Sequence, residues 1–145
     1  MKINIKKTNK NAITPVYSTE YSAGADLYAV MDSPVAIKPG QTYLVHTGIQ
    51  MEIPIGYVGL VYARSGLATK KGLAPANKVG VIDSDYRGEI MVPIYNQSDA
   101  EQVIEPGERI AQIVIAPFVH AEFCESEKLN ETLRGEGGFG STGTK

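Results

Sequence analysis

The stretch KPGQTYLVHTGIQMEIPIGYVGLVY, Lys38 to Tyr62, shows how this chain is built. Its runs Tyr43–Ile53 and Tyr57–Tyr62, dense in Val, Ile and Tyr, read as extended strands. Lys38-Pro39-Gly40 and Pro54-Ile55-Gly56 read as the turns that bound them. Working outward, the same grammar gives strands at Ile3–Lys6, Ala25–Val30 and Val35–Ile37, and then at Val79–Ile82, Glu89–Tyr95, Glu101–Ile104 and Arg109–Phe118. Glu105-Pro106-Gly107 adds another turn. Nowhere does an i, i+3, i+4, i+7 apolar spacing last for the length of an ordinary helix. Many short strands with frequent turns predict an all-β sandwich, jelly roll or barrel. Pro93 lacks an N–H and predicts an edge or bulge within Glu89–Tyr95. One short exception, Ser65–Lys71, predicts about two turns of helix with Ser65 near its start.

The 145 residues suit one domain, and 43% apolar with 21% charged residues is ordinary for a soluble globular protein. With Cys124 as the only cysteine, neither an internal disulfide nor a multi-cysteine metal site is available. A net charge of −2 offers no global attraction to nucleic acid, so phosphate binding must come from local groups. The basic start MKINIKKTNKNAIT has no apolar core behind it and no bilayer-length run follows. A soluble intracellular protein with no nucleic-acid or membrane partner is expected.

The C-terminal stretch RGEGGFGSTGTK holds five of the fifteen glycines in its twelve residues and predicts a flexible arm, residues 134–145, after a β domain of 1–133. Arg134 offers a permanent bidentate cation. The glycines, Gly140 among them, let N–H groups converge on an anion, and Ser141 and Thr142 add hydroxyl donors. Phe139, isolated among glycines, suits stacking on a planar base. An inert Gly/Ser tail with an incidental Phe explains the same composition.

In GVIDSDYRGE, Gly80 to Glu89, Asp83 and Asp85 are two apart. They face one side if extended and diverge in a hairpin turn. One of them suits a general base; Asp, Ser and Gly as plain turn formers is the alternative. Tyr86 suits packing or a ligand contact. In ARSGLA, Ala63 to Ala68, Arg64, Ser65 and Gly66 combine a cation, a hydroxyl and free N–H groups, an anion site or simply a capped helix with a surface arginine. Asp26 in AGADLYA, Ala23 to Ala29, and Gln112 in GERIAQIVI, Gly107 to Ile115, need partners if buried.

In this order, AGADLYA, ARSGLA, GVIDSDYRGE, PGERIAQIVI and RGEGGFGSTG resemble the five motifs of the trimeric dUTP pyrophosphatase family. The resemblance runs from about Ile3 to Thr144, and five ordered motifs are far more specific than one. Ala63 departs from it, since relatives often carry proline there.

The resemblance implies a distorted jelly-roll (β-clip) subunit with one short helix, assembled as a homotrimer whose sites are shared between chains. It implies hydrolysis of dUTP to dUMP and pyrophosphate, which keeps uracil out of DNA and supplies dUMP for thymidylate synthesis. Asn77, Gly80, Val81, Ile82 and Met91 would read uracil, with Met91 on the partner strand of a hairpin, and Tyr86 would pack beneath the deoxyribose. Asp83 would activate water for attack on the α-phosphorus. Arg64, Ser65, Gly66 and Gln112 would hold phosphates, and Arg134, Phe139, Gly140, Ser141 and Thr142 would close over the substrate. Mg²⁺ would ride on the triphosphate, with Asp26 touching its waters. The rivals are a dCTP deaminase-type or bifunctional relative, separated by ammonia release from dCTP, and a non-catalytic nucleotide-binding regulator. His46, His120 and Cys124 suggest no role.

Overall fold

A computed structural model describes residues 1–138. Its twelve strands are β1 (Asn4–Lys7), β2 (Val16–Tyr17), β3 (Ala25–Tyr28), β4 (Val35–Ile37), β5 (Thr42–His46), β6 (Ile49–Glu52), β7 (Tyr57–Tyr62), β8 (Leu73–Pro75), β9 (Val79–Ile82), β10 (Met91–Asn96), β11 (Gln102–Ile104) and β12 (Arg109–Pro117). The single helix, α1 (Ser65–Lys71), lies between β7 and β8. The strands form a five-stranded sheet in the order β2-β3-β12-β7-β9, a three-stranded sheet β5-β10-β8, and the pairs β1-β6 and β11-β4. Every pairing is antiparallel. The expected all-β class with one short helix is observed.

Three sequence expectations need correction. The run Tyr43–Ile53 is two strands, because Gly48 at φ +65° turns the chain between them. A Cβ there would also lie 2.7 Å from that of Ala12. β5 then joins β10 while β6 joins β1. Pro93 sits in the middle strand of its sheet, not at an edge, paired with Leu44. Its carbonyl accepts the Ala76 N–H at 2.7 Å, so its nitrogen also faces the β8 side, just past the last ladder pair Ile94↔Pro75. The missing donor therefore breaks no ladder bond. Finally, β9 and β10 do not form a hairpin ladder: β9 pairs with β7, and β10 with β5 and β8. The very short β2 and β8 were not anticipated; two or three residues carry too little periodicity to stand out.

The core lies between the sheets. Val92, Ile94 and Asn96 alternate inward along β10, and Ile94 is fully buried. Asn96 is tolerated there because its side chain donates to the Ile37 and Ala100 carbonyls, both at 2.8 Å. Ile94→Ala should cost about 2–5 kcal/mol in denaturant unfolding, since the surrounding strands cannot collapse onto the space. A loss below about 1 kcal/mol would show that β10 is not the centre of the core.

Alternation also sorts the five-stranded sheet into two faces. Ala25, Ile113 and Val61 are cross-strand neighbours and point into the core. One residue along, Asp26, Gln112, Tyr62 and Val79 form a row on the other face. The helix stops at Gly72, whose φ of +65° gives a left-handed cap. From Phe118 to Gly138 the chain forms neither helix nor strand and is largely exposed.

Candidate active site

Asp26, Gln112 and Tyr62 of the outer-face row line the first cavity, of about 430 Å³. Asp26 on β3 and Gln112 on β12 face each other by register, and the turn after β7 brings Arg64, Ser65 and Gly66 over them. Asp26 is 5% exposed, so its charge requires compensation. It receives Arg64 Nε at 2.6 Å on Oδ1, and Arg109 Nη1 and Ser18 Oγ, each at 3.2 Å, on Oδ2. The carboxylate thus fixes the Arg64 guanidinium by one nitrogen and leaves its other two for a ligand. Gln112 donates Nε2 to the Ala63 carbonyl at 2.9 Å. A Cβ at Gly24 would lie 2.5 Å from Gln112 Oε1, so that glycine gives the amide its place.

At the start of α1 the cap position is Arg64, and no side chain caps the helix. Ser65 is therefore not the N-cap, and the first N–H groups are left for water or a ligand. Gly66 is exposed, and a Cβ on it would meet nothing within 4 Å. Nothing in the single chain's own packing requires glycine there.

A second cavity, of about 210 Å³, is lined by Leu44, Val81, Ile82, Asp83, Tyr86, Glu89 and Met91. β9 is the edge of its sheet, so one side of its backbone carries donors and acceptors that no ladder uses. Met91 reaches this cavity from another sheet. Asp83 follows β9, exposed, and its carbonyl accepts the Tyr86 N–H at 3.2 Å. The turn separates the two aspartates: Asp83 lines the cavity and Asp85 does not. Tyr86 is 41% exposed and donates its hydroxyl to the Glu89 carbonyl at 2.9 Å. Asn77 is not among the lining residues; it sits in the exposed turn before β9, its amide beside the buried Gly80.

No residue lines both cavities. Arg134 is exposed and its Nε donates to the Gly137 carbonyl at 2.8 Å. Phe139, Gly140, Ser141 and Thr142 lie outside the described residues.

A family model described as dUTPase matches residues 10–143. The chain belongs to the dUTPase family. A deoxyuridine 5'-triphosphate nucleotidohydrolase of Hydrogenobaculum sp. is 50% identical over 145 residues, all of both chains. The dUTPase of Staphylococcus bacteriophage 80alpha, solved with dUpNHpp, superposes with a TM-score of 0.89 at 30% identity, covering 98% of each chain. A mutant dUTPase from phage phi11 of S. aureus, whose structure is described as revealing coordination of a structural Mg(II) ion, gives 0.77 at 26% identity. That match covers 88% of this chain and 98% of the phage protein. The jelly-roll subunit is thus the fold of this family.

Family motifs located most of the lining residues, but Ser18, Ser22, Leu44 and Tyr62 lie outside them, and the parts of Glu89 and of Arg109, which lines neither cavity, are not marked by the sequence. Arg109 stands two residues past Gly107 in a motif already singled out, and only its contact with buried Asp26 distinguishes it from a surface arginine. Leu44 carries no chemical signal and is legible only from its neighbours.

The donor set also bears on a metal. Among the described residues no three His, Cys, Asp or Glu side chains form a metal cage. The first cavity offers one carboxylate, Asp26, whose Oδ1 holds a single donor and retains acceptor capacity. That fits magnesium, an oxygen-seeking ion that keeps its waters and is commonly held by substrate phosphates with one or two carboxylates.

Proposed function

We propose that this chain is a dUTP diphosphatase, hydrolysing dUTP to dUMP and pyrophosphate, as its family membership supports. The observation that carries the site assignment is the first cavity, where a guanidinium already oriented by a buried carboxylate faces uncapped N–H groups and a side-chain amide. Arg64, the Ser65 hydroxyl, the Gly66 N–H and the Gln112 amide bind the phosphates. As pyrophosphate departs they meet its growing charge with donors already in place. Asp26 would meet the waters of a magnesium ion carried by the substrate, and that ion would supply positive charge against the phosphates.

The base lies in the second cavity. The unpaired edge of β9 at Val81 and Ile82 reads uracil with Met91, and Gly80 and the Asn77 side chain, which do not line the cavity in the single chain, are assigned to the base by the family motif. A cytosine reverses donor and acceptor at one edge and leaves buried polar groups unmatched. Tyr86 packs beneath the sugar and leaves no room for a 2′-hydroxyl. Asp83 accepts a proton from the water that attacks the α-phosphorus. Arg134, Ser141 and Thr142 clamp the terminal phosphate, Phe139 stacks on the base, and the Gly140 N–H joins the groups that converge on the anion.

The working unit in this reading is a homotrimer. One subunit's base cavity and another's phosphate cavity complete a site, which accounts for two cavities with no shared wall. Val81 at 62% and Tyr62 at 36% exposure on the outer sheet face also want a cover. Among the described residues no helix is long and apolar enough to cross a membrane. The cytoplasm, where dUTP is met, is the proposed location.

The test is pyrophosphate release from dUTP with Mg²⁺, run beside UTP and dCTP. We expect kcat/KM for UTP to be lower by about a hundredfold, because an added hydroxyl meets the Tyr86 ring, and no ammonia from dCTP. No pyrophosphate from dUTP would end the proposal, and comparable values for UTP would remove Tyr86 from its role.

A further inference from the structure

We propose that Glu89, gripped by His46 and the Gly48 amide, is the positioning residue that holds Tyr86 against the sugar and so governs selection of deoxyribose over ribose. The inference rests on the reading of Tyr86 as the sugar gate. Neither Glu89 nor His46 has a role in the reaction described above.

The loop between β9 and β10 has few ties to the body. Within it, Tyr86 N–H donates to the Asp83 carbonyl, and Arg87 Nη1 donates to the Ser84 and Tyr86 carbonyls at 2.7 and 3.0 Å. All of these are local. Arg87 makes one loose ion pair outward, with Glu52 at 3.8 Å between two half-exposed side chains. Such a pair adds little. Among the described residues every other polar tie of this loop to the body runs through Glu89 and its neighbour.

Those ties are dense. Glu89 Oε1 accepts the Gly48 N–H at 2.7 Å, and Oε2 meets His46 Nδ1 at 3.1 Å. Ile90, 1% exposed, donates its N–H to the Ile49 carbonyl at 2.8 Å and accepts the Thr47 hydroxyl at 2.5 Å. The Thr47-Gly48 turn is therefore stitched to the end of the loop. Hydrogen bonds to an ionised carboxylate are the stronger kind.

Tyr86 depends on this anchor. Its hydroxyl is held by the Glu89 backbone carbonyl at 2.9 Å. Its ring lies so close to Gly88 that a Cβ there would collide with Oη and Cζ. Glu89 lines the base cavity on one side and, with His46 and Asp32, a separate cavity of about 400 Å³ on the other. It is a wall whose carbonyl sets the gate and whose carboxylate sets the carbonyl. A shift of about 1 Å in such a group can cost on the order of a hundredfold in rate.

The experiment measures kcat and KM for dUTP and UTP in the full-length protein and in Glu89→Ala, Glu89→Asp and Glu89→Gln, with Tm for each and Tyr86→Ala as the reference. Glu89→Ala should narrow the dUTP-over-UTP ratio of kcat/KM by at least about tenfold. Glu89→Asp keeps the charge but is too short to reach both partners, and should narrow it by at least about threefold. Glu89→Gln can accept from Gly48 and donate to His46, and should stay within about twofold of the parent. A parent with no preference for dUTP, or a Tyr86→Ala variant that keeps one, overturns the Tyr86 reading and this inference with it. A preference lost in Tyr86→Ala but kept in Glu89→Ala overturns the Glu89 assignment alone, even if Tm falls. Should the alanine variant not fold, an unchanged ratio in Glu89→Asp has the same meaning.

Discussion

Asp83→Asn should leave a folded protein that binds dUTP and turns it over on the order of a thousandfold more slowly, the range that a positioned general base supplies. The substitution is nearly isosteric and falls where the fold asks nothing of the carboxylate. Asp83 is exposed, and its backbone carbonyl makes the turn by accepting the Tyr86 N–H. Among the described residues no hydrogen bond uses its side chain. An amide cannot take the water's proton, so the loss should appear in kcat, with affinity for a non-hydrolysable analogue little changed. A kcat close to the parent's would show that another group activates the water. Asp85→Asn is the matched control: it stands two residues away, outside the cavity, and should keep most of the activity.

Truncation after Leu133 should cut kcat/KM for dUTP by at least about a hundredfold, because the donors proposed for the terminal phosphate leave with the arm. Stability should barely change. The buried core ends at Ile113 and the last strand at Pro117. Beyond it Val119, Phe123, Leu129 and Leu133 are all exposed in the single chain. A truncated protein with the same Tm and poor turnover fits an arm that serves the substrate. Full activity in that protein would make the glycine-rich tail inert, the plain reading of its composition.

Local chemistry made several elements readable. β4, β7, β9 and α1 match the expected boundaries residue for residue, because each is a dense apolar run or a short helical patch enclosed by turn formers. The need of Asp26 for a partner was equally readable, since a carboxylate among strand residues is either exposed or paired. Its actual partners were not. Arg64 is 38 positions away and Arg109 is 83, and nothing local to either arginine marks it as the one that meets Asp26.

The hairpin expectation failed for a related reason. Two strand-like runs joined by a short stretch with Asp, Ser and Gly read locally as a hairpin. Whether they pair with each other or with other strands depends on which edges the rest of the sheet leaves open. Here β7 holds β9, while β5 and β8 flank β10. Glu89 was hidden in the same way. Its carboxylate gains meaning only when Gly48 and His46, more than forty residues earlier, arrive beside it.

Sequence alone determined the all-β class, the short helix α1, the family and a list of candidate site residues, because these depend on residue type and near-neighbour spacing. Tertiary structure decided which side chains come together: Asp26 with two arginines, Met91 and Val81 at one cavity from two sheets, and the Tyr86 hydroxyl on the Glu89 carbonyl. Pairing of distant strands is chosen by the burial of whole faces, a property of the assembled chain that no single segment carries.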